Sequence, residues 1–461
     1  MATREFPLEP VEVDRVETRC RRIVTPLPVP ESVPLLKKMR QIEPRSMGGQ
    51  PPVIWHRGAG AFMQDPWGNQ WIDFSSGVLV TASGHGHPAI LDAIRRMADQ
   101  GLYHAYCFPT KIRLELTEKI QSLLPPPLAR VFLLTTGSEA VECCLKLAMT
   151  WGRTIGNENK NIIVSFDNDF HGRTMGAQLS GGAPALKSWL GADPRFVQVP
   201  FPDGFRQPDV SFAVFEQRLS ALGVDPDRVC GVIGETFQGC NATLFPADYA
   251  KALRRWCNQH RAVLILDEVQ AGFGRTGRLF GFQHLGIVPD LVACGKGISG
   301  GMPLSAVLGT EELMSLYGPG EMTSTHSANT VCAAAALANL ETLEREGLVE
   351  RVDRLAPALA DGCRRIAQAS QGLIGHWDAV GLVAALQFTR PGTTEPQPDW
   401  AFEFVQKAIQ RGILLFAPVG VGGCAIKLCP PYVIGEDALA EGLDVLEGIA
   451  AELSESLVVR S

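Results

Sequence analysis

Two reactive side chains stand out in the sequence: an acid that ends an apolar run, and a lysine that lies between two glycines. Asp267 follows the apolar residues 263–266, a pattern typical of a buried strand that ends in a carboxylate. Lys296 follows a second apolar run at 291–294, and its flanking glycines allow the backbone to approach a ligand closely. A desolvated amine can attack a carbonyl carbon, although a lysine in such a loop is otherwise exposed to solvent.

Two further motifs could bind an anion and a flat ring. Residues 135–140 read Thr-Thr-Gly-Ser-Glu-Ala at the start of a predicted helix, where free backbone N–H groups form a site for an anion. Ser138 could bind that anion or could simply cap the helix. Residues 170–173 read Phe-His-Gly-Arg after another predicted strand. They would present an aromatic face and a guanidinium group near the end of that strand.

The glycines after Asp267 match a nucleotide-binding fingerprint, but the residues around them do not. Gly272, Gly274 and Gly277 satisfy G-x-G-x-x-G, but that fingerprint should open a helix and precede an acid by about 20 residues. Here the glycines lead into residues 278–282, and the chain contains no G-x-x-x-x-G-K-[ST] phosphate loop. We therefore expect no nucleotide site at this position.

These motifs must be positioned by the elements that precede them, and the middle of the chain alternates between short apolar runs and helical patterns. Near-continuous apolar strands that alternate with helices indicate an α/β protein with a parallel sheet covered on both faces. Because ligands of such sheets bind at the carboxyl ends of the strands, the motifs are expected to meet there. The predicted strands are 131–134, 161–165, 229–233 and 263–266, and the predicted helices are 138–149 and 246–260.

The two ends of the chain follow other patterns. Residues 1–50 are rich in proline and lack sustained periodicity, which predicts either an extended arm that lies on another surface or a mobile segment. A long helical stretch over 328–369 is predicted to leave the sheet. A smaller unit would then be built from short strands at 382–388, 413–416 and 425–428 and a closing helix at 438–457.

Composition limits the class of protein. The 461 residues carry 42 Lys and Arg against 49 Asp and Glu, a net charge of −7, which argues against nucleic acid or an anionic membrane as the main partner. The 12 cysteines form no C-x-x-C pair, so we expect reduced thiols, a cytoplasmic location and no metal site. We interpret His85 and His87 as a structural turn, because no third metal ligand is suggested nearby. No secretory leader or apolar membrane span of about 20 residues is visible.

The acid, the amine, the helix start and the aromatic ring together match the requirements of pyridoxal 5′-phosphate. Over residues 50–450, their order and spacing resemble the class III pyridoxal-phosphate-dependent aminotransferases, a family that includes ornithine, 4-aminobutyrate and other ω-amino-acid aminotransferases. The most specific segments are 266–277 and 295–304. The resemblance implies the aspartate aminotransferase-like fold of pyridoxal-phosphate transferases, with a mostly parallel sheet in the large domain and a smaller α+β domain.

The resemblance also implies a division of the chain and the roles of two catalytic residues. After the N-terminal arm at 1–50, the ranges 51–90 and 341–461 would form the small domain, and 91–340 the large cofactor-binding domain. Lys296 would form the Schiff base with the cofactor and later move a proton between two of its carbons. Asp267 would keep the pyridine nitrogen protonated.

The remaining cofactor contacts implied by the resemblance come from several loops. Thr325 matches the threonine that family members donate to the phosphate site of the neighbouring subunit, which implies a homodimer with shared active sites. The residues that would hold the cofactor are Gly137 and Ser138 at the phosphate, Phe170 stacked on the ring, His171 in the same motif, Gln270 near the ring hydroxyl, and Glu235 beside the cofactor.

Four positions would determine the substrate. Lys427 and Cys240 stand where many relatives have an arginine for the α-carboxylate of glutamate and a glutamate that screens it. Since lysine lacks the planar fork of arginine, a preference for glutamate and 2-oxoglutarate is less secure. Arg173 could orient a carboxylate. Val78 would give an aliphatic pocket wall that favours a less polar amine or a longer-chain amino acid, or would be an ordinary core residue.

The resemblance predicts a transaminase that moves an amino group from an amine, ω-amino acid or amino acid donor to a keto acid in two ping-pong half-reactions. The altered Lys427 and Cys240 keep a second reaction open, in which a racemase, epimerase or decarboxylase uses the same cofactor. A non-catalytic binding protein with the same fold is a third alternative. The intact set of Asp267, Lys296, Gly137 and Ser138 argues against it.

Overall fold

The computed structural model describes residues 4–156 and 158–458. Packing divides the chain into two compact units. One unit holds the chain up to His87, the three residues Cys240–Ala242 and the chain from Arg351 onward, and the other holds Pro88–Gly239 and Thr243–Glu350. From the sequence, the large domain was placed at 91–340.

In the described residues, the strands are β1 (Val16–Glu17), β2 (Arg22–Ile23), β3 (Arg57–Ala59), β4 (Phe62–Gln64), β5 (Gln70–Asp73), β6 (Leu128–Leu134), β7 (Ile162–Phe166), β8 (Phe196–Val199), β9 (Val229–Glu235), β10 (Val263–Asp267), β11 (Leu291–Cys294), β12 (Ser305–Thr310), β13 (Ile374–Val380), β14 (Val383–Phe388), β15 (Ile413–Leu414) and β16 (Ala425–Leu428).

The helices in the same residues are α1 (Val33–Ile42), α2 (Ser76–Leu79), α3 (Pro88–Asp99), α4 (Lys111–Ser122), α5 (Gly137–Gly156), α6 (Met175–Ser180), α7 (Ala213–Ala221), α8 (Ala247–Gln259), α9 (Glu311–Met314), α10 (Thr330–Arg345), α11 (Leu348–Ala369), α12 (Pro398–Gln410) and α13 (Glu436–Val458). The element α2 is a single left-handed turn, because φ is positive at each of its residues.

The larger unit is built on a seven-stranded sheet in the order β6-β12-β11-β10-β9-β7-β8. Strands β8, β7, β9, β10 and β11 pair in parallel, whereas β12 is antiparallel to both of its neighbours. The predicted α/β class with a mostly parallel sheet is therefore confirmed. Strands β7, β9, β10 and β11 are buried throughout, as expected for a sheet covered on both faces.

Helix α5 forms the centre of the core on one face of this sheet. Apolar residues recur along one side of the helix at Ala140, Cys144 and Ala148, with Val141 and Leu145 beside them, and this spacing of three and four residues is that of a helix face. They pack against the sheet strands in one buried cluster. This packing fixes the first turn of α5 relative to the strand ends.

The smaller unit contains two sheets of mainly antiparallel strands, and its α+β character is as predicted. One sheet has the order β1-β2-β5-β4-β3 with β15 beside β5, and the other has the order β13-β14-β16. Beside the first sheet, Nε2 of His85 lies 2.7 Å from Oδ2 of Asp73. Within the residues described, no group of His, Cys, Asp and Glu side chains could hold a metal ion.

Two sequence-based expectations are wrong in detail. The arm predicted over 1–50 is not wholly extended, because residues 33–42 form helix α1; within the arm, the extended strand β2 pairs with β5. The helix predicted over 328–369 is two helices, α10 and α11, because Gly347 between them has φ +57 and ends the helical path. No helix in the described part of the chain combines the length and apolar character needed to cross a membrane.

Candidate active site

The motifs predicted to carry chemistry follow strands of the large sheet that run in the same direction. Asp267 is the last residue of β10, and it stands opposite Glu235, the last residue of the parallel strand β9. Lys296 comes two residues after β11, and residues 170–173 come soon after β7. Since parallel strands end at one edge, the sheet brings these residues to a common edge, as predicted.

Lys296 lies on a strained turn that the sequence did not reveal. It begins a short 3₁₀ turn, Lys296–Ile298, with φ +44, a backbone conformation that costs a residue with a side chain on the order of 1–3 kcal/mol. The fully buried Asn339 of α10 donates from Nδ2 to the carbonyl oxygens of Gly297 and Ile298 at 2.9 and 3.1 Å. These two bonds hold the loop that carries the half-buried lysine.

Asp267 and His171 form a buried pair. Nδ1 of His171 donates to Oδ2 of Asp267 at 2.8 Å, and the amide of Val269 donates to Oδ1 of Asp267 at 2.9 Å. Burial lowers the pKa of His171, but the hydrogen bond to Asp267 and the negative charges of Asp267, Asp169 and Glu235 outweigh burial and raise the pKa to about 9. The imidazole is therefore cationic at neutral pH, and it places a positive charge against the carboxylate of Asp267.

Glu235 connects two further predicted cofactor residues. Its carboxylate accepts the backbone N–H of Phe170 at 2.9 Å and Nε2 of Gln270 at 3.5 Å. Burial, together with the charges of Asp169 and Asp267, raises the pKa of Glu235 to about 8. This carboxylate therefore fixes the Phe170 loop and the Gln270 side chain relative to each other.

The start of α5 is shaped to accept an anion such as the phosphate of the predicted cofactor. Gly172 has φ +131, and a Cβ atom there would lie only 2.1 Å from Oγ of Ser138. A Cβ atom on Gly295 would lie 3.6 Å from the Cα of Gly137. Two glycine loops thus approach the N-terminus of a 20-residue helix, where backbone N–H groups and the helix dipole favour a negative charge.

The alternative in which Ser138 caps α5 is wrong. The cap is a reciprocal pair: Oγ1 of Thr136 accepts the N–H of Glu139 at 3.2 Å, and the Glu139 carboxylate accepts the N–H groups of Thr135 and Thr136 at 2.8 and 3.1 Å. Such a box satisfies the helix start without Ser138. Oγ of Ser138 instead accepts the backbone N–H of Arg173 at 3.3 Å.

Arg173 and Thr325 are both exposed in this unit. The Arg173 guanidinium lies 5.8 Å from the centre of the Phe170 ring. Thr325 lies in a turn in which the amide of Ser327 donates to the carbonyl of Ser324 at 3.0 Å. Both side chains are therefore accessible from solvent in this chain.

Val78, Cys240 and Lys427, which were predicted to contact substrate, belong to the smaller unit. Val78 is 43% exposed with φ +65, so the interpretation of Val78 as a core residue is wrong. Lys427 is 3% exposed in β16, where it pairs with Ala385 of β14. Cys240 is half-buried, and its carbonyl oxygen would lie 3.2 Å from a Cβ atom on Gly420.

Sequence reasoning missed other residues of this edge. Asp169 and Asn339 are buried polar residues, and no local motif marked either of them. Glu268, next to Asp267, accepts the N–H groups of Gly281 and Phe282 at 2.8 Å each, and burial raises the pKa of this carboxyl to about 7. Its place in the 266–277 segment was the only signal that could have found it.

Comparison with known proteins gives the same family over nearly the whole chain. The family model described as Aminotransferase class-III matches residues 45–450. The chain is 33% identical to the 4-aminobutyrate aminotransferase of Mycobacterium leprae (strain TN), over 94% of this chain and 98% of that protein. It is 35% identical to the 2-aminoadipate transaminase of Pseudomonas putida, over 87% of this chain and 97% of that protein.

A solved structure extends the comparison to the fold. The ornithine aminotransferase of Toxoplasma gondii aligns with a TM-score of 0.81 and 26% identity, over 93% of this chain and 96% of that chain. That structure shows partial occupancy of pyridoxal phosphate at its active site.

Proposed function

The chain belongs to the class III aminotransferase family, enzymes that transfer amino groups, and we propose that it does so with pyridoxal 5′-phosphate held at the edge of the large sheet. The observation that carries this proposal is the buried pair of Asp267 and His171, at the same sheet edge that carries Lys296 and the glycine-lined start of α5. A carboxylate for a ring nitrogen, an amine for an aldehyde and a helix start for a phosphate match the groups of this cofactor.

The residues present fit the cofactor at each of its polar groups. Gly137 and Ser138 would hold the phosphate at the start of α5, and Gln270 would meet the ring hydroxyl. Phe170 would stack on the ring, supported by the bond from its N–H to Glu235. Asp267 would meet the pyridine nitrogen.

When bound, the cofactor supplies an aldehyde that takes up the amino group and a ring that delocalises the electrons released from the substrate carbon. Lys296 would hold the cofactor aldehyde through Nζ until the substrate amine displaces it, and the freed Nζ would then take up the substrate proton and return it one position away. Asp267 would accept the N–H of the protonated ring nitrogen, while Nδ1 of the cationic His171 donates to Oδ2 of the same carboxylate at 2.8 Å. Asn339 holds the strained turn at Lys296, which fixes the backbone from which the lysine side chain extends.

The substrates are an amino donor and a keto-acid acceptor, as for aminotransferases in general. We propose a donor that is an amine, an ω-amino acid or an amino acid with a largely apolar chain. Val78 presents an exposed aliphatic side chain on a left-handed turn, and strain of this kind persists mainly where a site requires it. Arg173 would bind a carboxylate of the substrate, with Lys427 and Cys240 in place of the arginine and glutamate found in many relatives.

We further propose a cytoplasmic homodimer in which Thr325 reaches the active site of the neighbouring subunit. The turn that holds Thr325 is joined to an exposed aromatic segment, since Oη of Tyr106 lies 3.0 Å from Oγ1 of Thr323. In that segment, Tyr103 is 69% and Phe108 is 73% exposed. Large apolar side chains that cluster on a surface are typical of a protein interface.

A spectroscopic half-reaction screen tests the proposed function. The holoenzyme is mixed with single amino acids, ω-amino acids or diamines without keto acid, and the bound cofactor is followed by absorbance. We expect conversion to the amine form with one donor class and recovery only after a keto acid is added. Lys296→Ala should abolish conversion, whereas Lys251→Ala, which removes an exposed lysine of α8, should not.

The same screen separates the alternatives. Continuous product without any keto acid would favour a racemase, epimerase or decarboxylase over a transaminase. A wild-type chain that never takes up the cofactor would favour a binding protein. Retained conversion in Lys296→Ala would refute the assignment of the reacting lysine.

A further inference from the structure

Asp169 is a buried acid close to the proposed cofactor site. Its side chain has no exposed surface, and it stands two residues before His171 on the loop after β7. Oδ1 of Asp169 accepts Nε2 of Gln238 at 2.8 Å, and Oδ2 accepts the backbone N–H of Glu235 at 3.2 Å. These two bonds from the β9 segment fix the direction of the carboxylate.

The carboxylate of Asp169 faces the side of His171 that is turned away from Asp267. Oδ2 of Asp169 lies 3.6 Å from Nε2 of His171, while Nδ1 of the same ring bonds to Asp267. Within the described residues, Nε2 has no hydrogen-bond partner of its own, although it is fully buried. The imidazole therefore lies between two carboxylates, one on each ring nitrogen.

A neutral imidazole would fit this arrangement poorly. It carries one proton, so one nitrogen would present a lone pair to a buried carboxylate. The cation presents an N–H to both sides. Burial raises the pKa of Asp169 to about 7, so above that pH its ionised carboxylate attracts the cation at 3.6 Å, with both side chains fully buried. Consistent with this, the pKa of His171 is raised to about 9 against the opposing effect of burial.

We propose that Asp169 is a positioning residue that holds the protonated His171 against Asp267 and so keeps a positive charge beside the carboxylate that would meet the ring nitrogen of the cofactor. This inference rests on the proposed function, because it assigns Asp267 to that nitrogen. Asp169 would act through His171, because its own side chain is fully buried and faces Nε2 of that ring. Neutralising Asp169 should therefore make the pair of His171 and Asp267 lose its proton at a lower pH.

Other ionisable groups face this pair and define the background for a pH measurement. Glu235 on β9 acts on His171 together with Asp169 and Asp267. Tyr249 on α8 lies near Asp169, and Cys144 on α5 and Cys294 on β11 lie near Asp267, as does Glu268. Burial raises the pKa of both thiols and of Tyr249 above their ordinary values, so these groups remain neutral where His171 titrates.

The test is an NMR titration of His171 in the holoenzyme labelled with ¹³C-histidine, with the His171 signal identified by its absence in His171→Asn. We expect the wild type to titrate near 9 and Asp169→Asn to titrate about 1–3 pH units lower, the effect of removing a charge at this distance. The dissociation constant of the cofactor should rise about tenfold per unit of that shift at pH 9 and much less at pH 6.5.

Asp167→Asn is the matched control, because it neutralises a partly buried acid of the same loop that is not among the groups acting on His171. It should leave the titration unchanged. If Asp169→Asn does not fold, Asp169→Ser keeps an acceptor for Gln238 in a smaller side chain and gives the same comparison.

Two results would overturn the inference: a wild-type His171 that titrates at or below its ordinary value, or a folded Asp169 variant with an unchanged titration. A wild-type chain that takes up no cofactor would refute the proposed function instead. In that case the His171 titration would still decide whether Asp169 holds the imidazolium.

Discussion

Replacing Gly172 by alanine should damage both the fold and the cofactor site. At φ +131, a residue with a Cβ atom is strained by on the order of 1–3 kcal/mol. The new Cβ would also lie 2.1 Å from Oγ of Ser138, so the loop must move by about 1 Å or more to reach an ordinary contact. That movement breaks the bond from the Arg173 N–H to Ser138, which contributes about 0.5–1.5 kcal/mol.

The combined cost is roughly 2–4 kcal/mol. It can appear as a loss of stability or as a loss of cofactor affinity. If the loop stays in place, the cost appears as a lower thermal midpoint of the holoenzyme. If the loop relaxes, the cost appears in the dissociation constant of the cofactor, which would rise by roughly 30- to 700-fold if all of it appeared there. Both quantities must therefore be measured on each variant.

Two other glycines separate the causes. Gly223→Ala places a Cβ at φ +66 with no atom within 4 Å, and Gly191→Ala places one in open space at an ordinary φ. We expect a cost of about 1–2 kcal/mol for the first and almost none for the second. If Gly172→Ala matched Gly223→Ala in both measurements, the close approach of the loop to α5 would not matter, and the reasoning about this cradle would be refuted.

Three further predictions concern pH, assembly and substrate. The thermal midpoint of the apoenzyme should fall as the pH rises from 6.5 to 9, because His171 has a raised pKa of about 9 and loses its stabilising proton over that range. His171→Asn should make the midpoint depend less steeply on pH, and an unchanged dependence would contradict the raised pKa of His171. Phe108→Asp should convert dimers to monomers in sedimentation, since Phe108 is 73% exposed in the chain alone, whereas Leu222→Asp at another exposed position should leave the mass unchanged; an unaltered dimer in both would exclude this interface. Lys427→Arg should raise kcat/KM for 2-oxoglutarate relative to pyruvate by about tenfold, because a planar fork grips a carboxylate better than an ammonium group; an equal ratio would place Lys427 away from the carboxylate.

The sequence predicts the sheet edge well because each motif there is local. Asp267 ends one apolar strand and Lys296 comes two residues after another, so their types and spacing suffice to place them at one edge once the strands are parallel. Local patterns of this kind need no knowledge of the tertiary contacts.

What the sequence could not predict depends on contacts between distant segments. His171 bonds to a residue 96 positions away, and Asn339 holds the Lys296 loop across 42 residues. The left-handed turn at Val78 was also missed, because a β-branched residue is among the least expected at positive φ. Tertiary packing overrides local preference at these positions.

The buried acids at this edge lower the free energy of unfolding when they are ionised. The positive charge of His171 offsets part of that cost. Burial raises the pKa of Asp169, Glu235 and Glu268, so the folded state favours their protonated forms, and ionising them as the pH rises lowers the free energy of unfolding. His171 contributes the opposite charge, but its stabilising effect is also lost as the pH approaches 9. Ionisation of the acids and deprotonation of His171 both lower the free energy of unfolding as the pH rises, so this edge contributes least to stability in alkaline solution. A ligand that brings a protonated ring nitrogen to Asp267 would add a positive charge to this edge, and the stabilisation that it gives should therefore increase with pH until that nitrogen or His171 loses its proton.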